Sequence, residues 1–197
     1  MTDALVCFLI SAVSLIAAVR CFAANQAYRG AIDAALAAAR GGPIDVPERV
    51  KPYYDAAYLN KFISMAENQE TTFGKSALVL YIRPTLLWID IWFAVCYAIF
   101  LASFWLGVLS VTAEHTVVAL VAKFCLVMAI AYGIADVAED LWLIRLFSKG
   151  TEIAKSEGAL ACLLTQIKLL TISLTLIGGL LFLALGKIFA KARGTRA

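Results

Sequence analysis

Of the charged side chains that stand inside or at the edges of long apolar runs in this 197-residue chain, seven belong to one level: Arg20, Arg83, Asp90, Asp136, Glu139, Asp140 and Lys168. Asp136, Glu139 and Asp140 sit at i, i+3 and i+4, so on a helix they form one acidic patch. Arg83 and Asp90, seven residues apart, are expected to share a helix face. A charge near the centre of a bilayer costs about 2.5–3.5 kcal/mol on insertion scales, so unpaired charges facing lipid are disfavoured. The economical arrangement turns them inward, with Lys168 and an arginine set against Asp90, Asp136 and Glu139. Such a group can act as a structural plug that fixes helix register. It can also bind an ion, relay protons or hold a polar headgroup. The third outcome is that some charges, Arg20 and Asp140 first, reach out to the interface.

The elements that must position these groups follow from composition. Hydrophobic residues make up 62% of the chain and charged ones 16%, well above the apolar share of a soluble domain. A span needs about 20 apolar residues to cross about 30 Å of hydrocarbon. Four stretches meet that length, at about 4–24, 84–111, 116–147 and 158–189. Continuous apolar runs of this kind predict helices rather than barrel strands, which would alternate over about 10 residues. The expectation is an all-α integral membrane bundle of four transmembrane helices, forming a single domain over 1–197. The first stretch lacks a basic n-region and a clean cleavage site, so it reads as a retained anchor.

One extramembrane piece, 25–83, separates the first and second spans. Its alanine-rich start extends the first helix, Gly41-Gly42-Pro43 breaks it, and the stretch to Pro52 is extended or turned. Helix resumes over 53–66, with Tyr54, Tyr58, Phe62 and Met65 on one face, either on the headgroups or capping the bundle. Antiparallel topology then brings the end of span one, the start of two, the end of three and the start of four to the loop face. All seven charged groups belong to that level.

Other residues suggest less. His115 stands alone in the turn on the opposite face, and the five cysteines show no paired spacing. No zinc, haem or phosphate motif is present, so no cofactor and no metal set is expected. Trp88, Trp92, Trp105 and Trp142 fit interfacial belts. Thr171, Thr175 and Gly179 make a small-residue stripe suited to close helix contact.

From about Tyr53 to Phe147 the pattern resembles a family of uncharacterised multi-pass membrane proteins, mostly bacterial. The matching residues are Gly74-Lys75…Tyr81, then Asp90-Ile-Trp-Phe93-Ala-Val-Cys-Tyr97, and Ala135-Asp136-Val-Ala-Glu139-Asp140. Ala94 stands where the family carries proline and Asp140 where it carries asparagine. The resemblance implies that Asp90, Asp136 and Glu139 belong together and that the bacterial inner membrane is the location; it implies no activity.

Eleven lysines and arginines flank the loop face, between Arg20 and Arg83 and between Arg145 and Lys155, against four in the tail. The positive-inside rule favours a cytoplasmic loop face with both termini outside. Two functions are open: a non-enzymatic scaffold or accessory subunit, and a small ion- or proton-coupled transporter component or lipid-headgroup binder. A lipid-active enzyme would need a nucleophile or metal that these residues do not assemble. The expected partners are the bilayer and a membrane protein or a second copy, with no nucleic acid.

Overall fold

The computed structural model describes residues 2–39, 43–50, 54–112, 116–150 and 152–194, without the side chains of 2, 116 and 185–194. The expected break at Gly41-Gly42, the turn carrying His115, and the side chains of Lys187, Lys191, Arg193 and Arg196 lie outside this description.

The protein is all-α. Helix α1 (Thr2–Ala37) is continuous through the alanine-rich segment. A 3-10 turn (Pro47–Arg49) follows, then α2 (Ala56–Glu67), whose N-cap Asp55 accepts the Tyr58 amide at 2.8 Å. An isolated bridge pairs Glu70 with Ser76 around Gly74, whose φ of 67° suits a residue without Cβ. Short α3 (Ala77–Leu80) runs through a π-turn stretch (Tyr81–Asp90) into α4 (Ile91–Thr112). The last two helices are α5 (Thr116–Lys149) and α6 (Lys155–Gly194).

Four helical segments are long and apolar enough to cross a membrane: Asp3–Ala37, Ala77–Thr112, Val117–Lys149 and Lys155–Ala184. Their outer faces carry exposed Leu, Ile, Val and Phe in long runs, among them Leu9, Val13 and Ile16 on α1 and Leu176, Leu180 and Leu183 on α6. Such a surface is stable against acyl chains and not against water.

Within the bundle α1 packs on α4, α4 on α5, and α5 on α6; no comparable packing joins α1 to α6. Close approach between α4 and α5 depends on Gly133, where an added Cβ would lie 2.5 Å from the Ala98 methyl. The loop caps one end of the bundle, as one of the two sequence readings had it. Ile44, Val46, Leu59, Phe62 and Ile63 are buried against Ile32 and Leu36 of α1 and Leu143, Leu146 and Phe147 of α5.

Two expectations are corrected here. Arg83 has φ −137° and ψ 118°, outside the helical region, because a residue followed by proline is pushed toward extended backbone. It therefore does not share a helix face with Asp90. Trp105 is not interfacial: it is buried, edge-on to Phe104 and Phe182. Trp88 and Trp92 are exposed.

Candidate functional site: a charged chamber beneath the loop

At the loop end of the bundle a cavity of about 270 Å³ is walled by side chains from five parts of the chain. Helix α1 contributes Phe22, Asn25 and Arg29, which recur at helical spacing on one face. The 3-10 turn contributes Glu48 and Arg49, α4 and the stretch before it Asp90 and Phe93, α5 Tyr132, Asp136 and Asp140, and α6 Lys168. Glu48 reaches the chamber because its neighbours Ile44, Val46 and Pro47 are buried, and because Arg49 is anchored to Asp33 of α1 at 2.9 Å.

The charges form two unequal groups. On one side Lys168 Nζ lies 2.6 Å from Asp136 Oδ1 and donates to Glu139 Oε2 at 2.7 Å. Tyr132 donates to Asp136 Oδ2 at 2.6 Å, and Thr165 donates to Glu139 Oε1. The loop joins this network through the Tyr54 hydroxyl, 2.9 Å from the Thr165 hydroxyl. Burial pushes the Tyr54 phenol above its ordinary range, so it stays neutral.

On the other side Arg29 stands 3.5 Å from Asp90 and 3.6 Å from Glu48, beyond a direct N–H···O bond. Asn25 Nδ2 donates to Asp90 Oδ1 at 2.7 Å. Asp140 is 1% exposed, and neither of its oxygens has a hydrogen-bond partner. Asn25 Oδ1 and Asp90 Oδ2 are also buried without a donor. One oxygen each from Glu48, Asp90 and Asp140 lie within 4.8 Å of one another. Among the described residues, these three are the group that could hold a metal ion.

Of the seven residues named from sequence, the structure thus gathers Asp90, Asp136, Glu139, Asp140 and Lys168. It leaves out two. Arg20 is exposed; nine residues from Arg29, it points about half a turn away from the chamber face. The arginine of the site is Arg29. Arg83 is exposed and borders a separate hollow with Lys75, Pro84 and Trp88. Asp140 does not reach the interface; it is among the most enclosed side chains in the chain. Sequence reading missed Arg29 and Glu48. Arg29 lies beyond the apolar run of span one, and Glu48 lies where no periodicity exists. Buried Ile44 and Val46, alternating with exposed Asp45, were the available sign that this segment faces inward.

Fold and chamber define a multi-pass helical membrane protein with ionisable groups in its interior. Comparison of the chain with protein-family models, with curated proteins and with solved structures finds no match.

Proposed function

We propose that this protein is a non-enzymatic ion-handling component of a membrane, which takes up protons or cations into the chamber beneath its loop. What carries the proposal is the charge deficit. Five carboxylates (Glu48, Asp90, Asp136, Glu139 and Asp140) meet two cationic side chains, Arg29 and Lys168, and Asp140 meets neither. Arg49 is matched by Asp33. A buried, unpaired carboxylate costs several kcal/mol, so the deficit is met by a proton or a bound cation. A register-fixing plug requires only matched pairs; Asp140 adds nothing to one. The expected location is the bacterial inner membrane, with the loop face cytoplasmic.

Potentiometric titration of the purified protein in detergent tests this. The wild type is expected to take up protons or added cations, and Asp140→Asn to take up one equivalent fewer. Equal uptake by the two proteins refutes the chamber as an ion site.

A second reading, an accessory subunit of a larger assembly, is favoured by one observation. Only 11% of the most apolar window of α1 is buried within the chain, which leaves a long face for another protein's helix or a second copy. Purification in mild detergent with a stoichiometric membrane protein partner would support it.

A further inference from the structure

We infer that Glu48, Asp90 and Asp140, with Asn25 on the wall beside them, form a binding site for a divalent, oxygen-preferring cation. The inference rests on the chamber being an ion site, and names the ion class and its ligands.

Donor chemistry comes first. The candidate ligands are three carboxylates, with an amide side chain beside them and no imidazole or thiolate among the residues lining the chamber. All-oxygen sets of this kind suit calcium, magnesium or manganese rather than zinc or copper. The three carboxylate oxygens, all within 4.8 Å of one another, are close enough for one ion to touch them together.

An acidic cluster alone is not a site; the unpartnered atoms point to a ligand. Asp140 is 1% exposed with both oxygens unpaired. Asn25 is 2% exposed, and its Oδ1 also lacks a donor while its Nδ2 holds Asp90. Buried acceptors without donors are costly, and a cation held among the three carboxylates would satisfy Asp140. Arg29 pairs with Asp90 and Glu48 at 3.5–3.6 Å, and among the described residues none pairs with Asp140. Three carboxylates beside one guanidinium leave two negative charges, which one divalent ion neutralises.

Glu48 is the ligand that gives the site a consequence. It comes from the loop, while Asp90 and Asp140 come from the bundle. Occupancy therefore ties the 3-10 turn to the membrane helices.

The test uses Mn²⁺ as a paramagnetic probe on the full chain in lipid nanodiscs, read by electron paramagnetic resonance. One bound Mn²⁺ per chain is expected, displaced by Ca²⁺ and not by Na⁺. Glu48→Gln and Asp140→Asn should each weaken it roughly tenfold or more, as loss of a coordination-sphere group does, and Glu70→Gln, on the exposed turn before α3, should leave it unchanged. Glu48 lies outside the helices, so its variant keeps the bundle intact. Absence of bound Mn²⁺ in the wild type, or binding indifferent to Glu48→Gln and Asp140→Asn, overturns the metal site. If Asp140-dependent proton uptake persists in that case, the chamber remains an ion site whose ion is the proton. If uptake is absent as well, both proposals fall.

Discussion

The Lys168 ammonium on α6 donates to the Glu139 carboxylate on α5 at 2.7 Å, a bond between two helices. Glu139 is fully buried. Removing the lysine therefore strands Glu139, and with it Asp136, as uncompensated charges. Lys168→Met is expected to cost about 3–5 kcal/mol, the usual penalty for breaking a buried ion pair from one side. Adding Glu139→Gln and Asp136→Asn to that variant should restore most of the loss, because the triple variant leaves no stranded charge. Thermal unfolding in one detergent, followed for wild type, single and triple variants, decides it; a triple variant no better than the single one would contradict the pairing.

Asp140 gives the opposite sign. Its carboxylate has no hydrogen-bond partner among the described residues, so replacing it with a neutral isostere removes a cost. In chelator at mildly alkaline pH, Asp140→Asn is expected to melt higher than wild type, by about 2–4 °C for each kcal/mol gained in a chain of this size. Addition of Ca²⁺ should then raise the wild-type midpoint and leave that of the variant in place. A variant that melts lower than wild type in chelator would mean that Asp140 is compensated after all.

How much of this was legible from residues alone follows the kind of signal each part carries. The four spans are long apolar runs, and such runs announce themselves by length. The acidic patch at Asp136, Glu139 and Asp140 was readable because helical spacing converts sequence distance into a face. Depth was readable only coarsely. Arg20 and Arg29 lie on one unbroken helix, and apolar content marked the nearer one as intramembrane, while the face belonging to the chamber is that of Asn25 and Arg29. Glu48 was out of reach because a 3-10 turn in a loop has no period to read. At Arg83 the following proline carries two signals, a fit to a helix start and a constraint on the residue before it, and the second sets its extended backbone.

Small residues show the same division between spacing and contact. The four-residue stripe named Gly179, yet an added Cβ there meets nothing within 4 Å, whereas at Gly133 it would lie 2.5 Å from the Ala98 methyl. A methyl group has no rotamer in which to move aside, so α4 and α5 would have to separate. Gly133→Ala is expected to destabilise by about 1–3 kcal/mol, as overpacking does. Gly179→Ala should be neutral or gain up to about 1 kcal/mol from helix propensity. Equal thermal midpoints for the two variants would show that α4 and α5 do not approach as described.

Tyr54 ties the loop to the charged network, and its burial gives a pH signature of definite sign. The folded protein holds the phenol neutral, with its pKa raised by burial, while the unfolded chain ionises it near the ordinary value of about 10. A group whose folded pKa is raised keeps its full contribution below the unfolded value and loses it as pH climbs beyond. Stability should therefore fall as pH rises above about 10, and more gently in Tyr54→Phe, which has no proton to lose there. At neutral pH the same substitution should cost about 1 kcal/mol, the usual net worth of one hydrogen bond, because the contact to Thr165 is gone. Amide hydrogen exchange over Ala56–Glu67 should quicken in the variant, since α2 loses a tether to α6 while keeping its Asp55 cap. Identical alkaline slopes for the two proteins, together with unchanged exchange in α2, would place the Tyr54 hydroxyl in water and detach the loop from the chamber.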